Sequence, residues 1–144
     1  MQVPCYKQEF PWSCFAACMR MILEYCEVKK TERELRILLK TTPSYGTIWD
    51  IAEKEIRRIG FELKWKTYWK LEELVPFISQ STPIIAGVWL SEDADKHAVV
   101  ILNMSENFVT FIDPEYGKLV NMDKTEFLNL WGRRKNIGGY IVRK

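Results

Sequence analysis

The stretch "HAVVILNMSENFVTFIDP" (97–114) decides how this chain folds. Two runs rich in β-branched and aromatic residues, "HAVVILNM" and "NFVTFID", flank a polar segment near "MSEN" at 104–107. That pattern reads as the two antiparallel strands of a hairpin. With the turn centred on Ser105, residues whose numbers sum to 210 face each other, and His97 falls opposite Asp113. Directly opposed residues share a face, with Cβ atoms about 5 Å apart. A carboxylate there binds one imidazole N–H, fixes the tautomer and makes the other ring nitrogen more basic. The pairing hangs on the turn, since a slip of one residue sends the two side chains to opposite faces. A plainer reading stays open: "DPEYG" is only a turn, with Asp113 making an Asx bond before Pro114, and the sole histidine is structural or solvated.

Working outward, "PIIAGVWL" (83–90) is an apolar run suited to an interior strand. "GKLVNM" (117–122) reads as a short strand and "GGYIVRK" (138–144) as the last one. "FELKWK" (61–66) alternates apolar and charged residues, as a half-buried strand does. The overlapping "KWKTYWK" (64–70) places Trp65, Thr67 and Trp69 on one packed side, with its lysines in solvent; an exposed peptide-binding surface is the other reading. Before the strands the period changes to that of helices. The spacing predicts a helix from Ser13, its N-cap, to Tyr25, with apolar residues at 14, 15, 18, 21, 22 and 25. "TERELRILLK" (31–40) carries a capping box, Thr31 with Glu34 three residues on. A third helix fits 47–59, with Ile48, Ile51, Ala52, Glu55 and Ile59 on one face and Gly60 as its stop. A short helix fits 71–79, and "DKTEFLNLWG" (123–132) is capped by Asp123 with Glu126 at the third position. Helices first and antiparallel strands later give an α+β fold, read as a single domain over 1–144.

The balance of 21 basic and 19 acidic residues leaves a net charge of +2, and the longest basic cluster is "GRRK" at 132–135. Neither suggests a nucleic-acid partner. The longest apolar run, "IIAGVWL", is far short of the roughly 20 residues that span a bilayer, so no membrane insertion is expected. The N-terminus has no basic start and apolar run of a signal peptide, which makes the cytoplasm, where thiols stay reduced, the expected compartment.

The four cysteines, Cys5, Cys14, Cys18 and Cys26, all lie in the first 26 residues. Cys14 stands where the first helix begins, in "QEFPWSCFAACMRMIL" (8–23). The positive end of a helix dipole and its free N–H groups favour thiolate, and thiolate is the nucleophile. Attack on a carbonyl builds an oxyanion that needs donors; the Cys14 backbone N–H is one candidate and the Gln8 side-chain amide the other. Against this, a free cysteine is often a small buried hydrophobe, which is the reading adopted for Cys18 and Cys26 and is open for Cys14. Cys14 and Cys18 at i, i+4 do not amount to a metal site, with one histidine and no second finger-type cysteine pair; no metal or cofactor is expected.

Taken in order, Gln-x5-Cys at a helix start, a late strand histidine and an Asp-Pro one hairpin later resemble papain-like cysteine peptidases. More closely, the chain resembles the bacteriocin-processing peptidases, the cytosolic N-terminal domains of peptide-exporting ABC transporters, which cleave a leader after a double glycine. The similarity runs through "QEFPWSCFAACMRMIL", "GTIWDIAEKEIRRIGFELK", "TPIIAGV", "HAVVILNMSENFVTFIDPEYGK" and "KTEFLNLWGR", nearly the whole chain. It implies a papain-like fold, a helical lobe carrying the nucleophile against a small antiparallel sheet carrying His and Asp. It implies Cys14 as nucleophile, His97 as general base and acid, Asp113 as the residue orienting the histidine, and Gln8 as the oxyanion donor. The implied partners are a peptide or protein substrate and a peptide-exporting transporter. Two positions depart from the family pattern. Ser13-Cys14-Phe15 stands where Asp-Cys-Gly is usual, so Phe15 narrows or reshapes the groove, and Ala98 follows His97 where a bulky residue is common. No transporter membrane or ATPase segment occurs up to Lys144, which leaves a stand-alone enzyme and an excised domain both open. Two other functional readings are a catalytically silent peptide-binding domain, and the same site serving as a deconjugase, transferase or toxin.

Overall fold

The computed structural model describes residues 1–90 and 96–144; most of the charged loop read at "SEDADK" lies outside the described residues. The chain runs α1 (Cys14–Tyr25), α2 (Glu32–Leu38), α3 (Trp49–Ile56) with a 3₁₀ turn at Arg57–Ile59, β1 (Phe61–Lys66), α4 (Leu71–Ser79), β2 (Ile84–Trp89), β3 (Lys96–Met104), β4 (Phe108–Asp113), β5 (Lys118–Asp123), α5 (Lys124–Gly132) and β6 (Gly138–Arg143). Among the described residues the strands form one antiparallel sheet in the order β1-β6-β2-β3-β4-β5. The α+β class read from the pattern is the class observed.

Helices cover both faces of the sheet. On one face α1 lies against β3, and its Phe15, Cys18, Met19 and Ile22 join Ile85, Val100 and Ile112 in one apolar cluster. Eight of the twelve residues of α1 are buried, as expected of a helix at the centre of a core. On the other face α4 and α5 build a second cluster with Leu74, Phe127 and Trp131 against Ile84, Val99, Ile101 and Phe111. β2 and β3 are therefore buried on both sides, which is why they read as unbroken apolar runs.

Several local expectations change. Thr31 and Glu34 form the capping box read from the sequence, and Asp123 caps α5 through Thr125 N and Glu126 N. Ser13 precedes α1 but does not cap it: its hydroxyl folds back to the Phe10 backbone instead. α3 is shorter than 47–59 and turned about its axis, so Trp49, Ala52 and Ile56 are buried and Ile48 is exposed. Trp49 outcompetes Ile48 because the indole buries far more apolar area. Trp65 and Trp69 do not share a side. β1 ends at Lys66, Tyr68 takes a positive φ of 60°, and the chain turns, so Trp65 packs on Trp49 while Trp69 enters the opposite cluster.

Candidate active site

Cys14 is the first residue of α1, and the loop before it is held at several points. Ser13 Oγ accepts from Phe10 N and donates to Phe10 O, each at 3.0 Å. Glu32 is buried and accepts from Glu9 N at 3.0 Å and from Arg36 Nε at 3.2 Å. The Arg36 guanidinium lies over the rings of Phe10 and Trp12, which stack on each other at 4.9 Å. Loop 9–13 is thus locked to α2, and Cys14 is delivered half-buried at the wall of a cleft of about 470 Å³. Cys18, one turn along, is fully buried, and burial pushes its thiol well above the ordinary value. The two cysteines differ by environment: Cys18 is held as a buried thiol, while Cys14 borders the cleft.

His97 and Asp113 meet, though not in the register read from the sequence. The turn is centred between Glu106 and Asn107, with Ser105 N donating to Phe108 O at 2.9 Å. Next to it the pairs are Met104↔Val109 and Asn103↔Thr110, sums of 213 rather than 210. Carried along β3, an odd sum would put His97 and Asp113 on opposite faces. A β-bulge intervenes between Ile101 and Asn103, Leu102 being the extra residue, and beyond it the pairs are Ile101↔Phe111 and Val100↔Ile112, sums of 212. That even register sets Asp113 diagonal to His97 on a shared face, and His97 Nε2 lies 2.6 Å from Asp113 Oδ1. The Asx turn is present as well: Glu115 N donates to the same Oδ1 at 3.0 Å. Asp113 therefore serves both readings at once.

Burial alone would pull the pKa of His97 down. The hydrogen bonds and charges of Asp113 and Cys14 outweigh it and raise the imidazole to about 9. Burial alone would raise Asp113, and the His97 interaction together with Glu115 N–H holds the carboxyl below its ordinary value. With Nε2 committed to Asp113, Nδ1 is the ring nitrogen left for Cys14. A carboxylate oxygen of Glu115 lies within 4.8 Å of His97 and Asp113 side-chain atoms.

Gln8 is tied through its backbone to the turn that follows Asp113, but it is not among the residues that line the cleft. Its backbone N–H donates to Pro114 O at 2.7 Å, and residues 6–7 pack on Gly117, where a Cβ would come within 2.8 Å of Lys7 N. Gly117 takes a φ of +64°, so the close approach and the turn both call for glycine. One Nε2–H of Gln8 donates to Phe10 O at 2.9 Å.

The cleft that holds Cys14 and His97 is walled by Trp12, Phe15, Tyr45, Trp49, Trp89 and Arg134. No sequence pattern marks Trp49 or Arg134 as site residues. Arg134 belongs to the basic cluster set aside as too short for nucleic acid, and only the fold brings it here.

The Peptidase C39 family matches residues 2–134 of the chain. The chain belongs to the Peptidase C39 family. Its members are cysteine peptidases, and this chain is one of them. No curated protein matches in sequence. Among solved structures, the peptidase domain of Streptococcus ComA, a bi-functional ABC transporter involved in a quorum sensing pathway, superposes with a TM-score of 0.83 at 19% identity. That match covers 99% of this chain and 100% of that one. A double glycine motif protease from an AMS/PCAT transporter, in complex with the leader peptide, gives 0.78 at 22% identity, over 99% and 93% of the two chains. At these identities the likeness shows the fold. Among the described residues no helix is long and apolar enough to cross a membrane.

Proposed function

We propose that this C39 peptidase hydrolyses a peptide bond with Cys14 as nucleophile, His97 as general base and acid, and Asp113 as the group that orients His97. The observation that carries the reading is one cleft lined by both Cys14 and His97, with His97 Nε2 at 2.6 Å from Asp113 Oδ1. The imidazolium pairs with the thiolate. Sulfur attacks the carbonyl carbon, His97 protonates the leaving amine, and water brought in by His97 then cleaves the thioester. The Cys14 backbone N–H and the second Nε2–H of Gln8 are the proposed donors to the oxyanion.

The bond proposed is one that follows a small-residue pair of the double-glycine kind in a leader peptide. A relative of the same fold is described as a double glycine motif protease in complex with a leader peptide, and the aromatic walls beside Cys14 suit residues without side chains at the cleaved bond. The partner proposed is the exporter of that peptide. The compartment is the cytoplasm, which suits four cysteines that are all free.

The test is cleavage of synthetic leader peptides ending in Gly-Gly, Gly-Ala or Gly-Ser, read by mass spectrometry. Cys14→Ala and His97→Ala should each abolish cleavage while the protein stays folded, as read by circular dichroism. Turnover surviving in Cys14→Ala, or lost equally in Cys18→Ala at equal stability, would falsify the role assignment.

A further inference from the structure

The cleft contains a cation that the hydrolytic scheme does not use. Arg134 lies in the turn between α5 and β6, and that turn is fixed by its own backbone: Arg134 N donates to Trp131 O at 2.9 Å and Ile137 N to Arg134 O at 3.2 Å. Gly87 N then donates to Ile137 O at 3.1 Å, tying the turn to β2. Lys135 and Asn136 both take positive φ, and Asn136 Nδ2 donates to Trp69 O at 2.7 Å. The guanidinium lies against Gly87, where a Cβ would sit 3.4 Å from Cζ and Nη1 and 2.6 Å from Ile137 Cγ2. The missing side chain on β2 makes room for Ile137, and the guanidinium packs in ordinary contact beside it.

Among the described residues the Arg134 guanidinium has no hydrogen-bond or ion-pair partner, whereas that of its neighbour Arg133 donates to Trp89 O and Leu90 O. It is half-buried, and burial lowers its pKa while the charge of Cys14 works against that. Lys96 also lines the cleft, and no Asp or Glu does so among the described residues. A guanidinium held rigidly in a cleft, with its planar donors unspent, is matched by a carboxylate.

We propose that Arg134 is a specificity residue that seats a carboxylate of the substrate close to the bond that Cys14 attacks. The carboxylate comes from an Asp or Glu side chain near that bond or from the substrate's own C-terminus. The proposal rests on the peptidase reading for the substrate, but the seat itself can be tested without turnover.

The probes are iodoacetate and iodoacetamide, which alkylate Cys14 by the same displacement of iodide and differ in carrying a carboxylate or an amide. Rates at Cys14 are read by peptide mass spectrometry in wild type, Arg134→Gln and Arg134→Lys. The ratio of the two rates cancels any change in the thiolate itself. A charge-assisted hydrogen bond is worth enough that Arg134→Gln should lower the iodoacetate-to-iodoacetamide ratio about tenfold, with Arg134→Lys between the two. The exposed Cys5 should keep its ratio in all three proteins, and labelling of the buried Cys18 reports any unfolding. An unchanged ratio in both Arg134 variants, including one in which both rates fall together, overturns the proposal. A second arm digests a peptide library with free or amidated C-termini. Acidic residues enriched within two positions of the cut in both halves, and lost in Arg134→Gln, identify the side-chain source. Cleavage only near free C-termini identifies the other. Cys14-dependent cleavage with neither preference overturns the specificity role. A ratio that falls while no peptide is cut leaves the carboxylate seat standing and overturns the peptidase reading instead.

Discussion

Cys14, Gln8 and Asp113 are proposed to act at different moments of one reaction, and each can be separated by what it does not affect. Alkylation of a thiol by iodoacetamide builds no oxyanion, whereas attack on an amide does. Gln8→Ala should therefore slow peptide hydrolysis by about 10²–10³ while Cys14 alkylates at its wild-type rate. Equal losses in both assays would mean that Gln8 only holds the loop, through its bonds to Pro114 and Phe10. Asp113→Asn keeps an oxygen for Glu115 N–H and so spares the turn, but it removes the charge beside His97. The imidazole should then titrate below its present value of about 9, and turnover should fall about a hundredfold. A pH–rate profile that does not move would deny Asp113 its positioning role. At this scale the sequence was legible where chemistry is local: a thiol at a helix start, a lone histidine, an aspartate before proline. Arg134 was not legible, because only the packing of its turn beside Gly87 of β2, 47 positions away, brings its guanidinium to the cleft.

The hairpin of β3 and β4 shows how an element decides a site. The strands and the polar turn could be read from composition, and so could the caps at Thr31 and Asp123, since both are side-chain chemistry a few residues long. The bulge could not. Leu102 is one apolar residue in an apolar run, and nothing in "HAVVILNM" marks which residue drops out of the ladder. The expected sum of 210 and the observed sum of 212 have the same parity, so the right pair of residues was brought to one face by a register that is itself different. The bulge absorbs one residue, so deleting Leu102 would leave Asn103↔Thr110 and Ile101↔Phe111 as consecutive pairs and keep His97 diagonal to Asp113. Deleting Val99 instead, between the bulge and His97, would move His97 one place along the strand and onto the other face. The expected results are a single imidazole resonance that keeps its raised value of about 9 without Leu102 and titrates near the ordinary 6.5 without Val99. A raised value that is lost without Leu102, or kept without Val99, would show that the register is not what joins the pair.

Across the whole molecule the candidate site is a seam. Cys14 comes from α1, and His97 and Asp113 come from β3 and β4 of the sheet. The charge on His97 therefore links the helical layer to the sheet, and it makes stability depend on pH. His97 is raised from 6.5 to about 9, so its contribution is fully present below pH 6.5 and is lost as pH rises through about 9. Asp113 is lowered from 3.8, so its contribution is present above that value and is lost as pH falls below it. Both act together between these limits. Urea midpoints of wild type and His97→Ala should differ most near pH 6, and the gap should narrow steadily toward pH 10, leaving only the pH-independent packing of the ring. Because Cys14 is one of the groups holding His97 protonated, Cys14→Ala should move that narrowing to lower pH even though the residue removed lies on the helix and the titrating group on the sheet. A gap that stays flat from pH 6 to 10 would mean that the imidazole carries no extra charge when folded, and the thiolate–imidazolium pair would lose its physical basis.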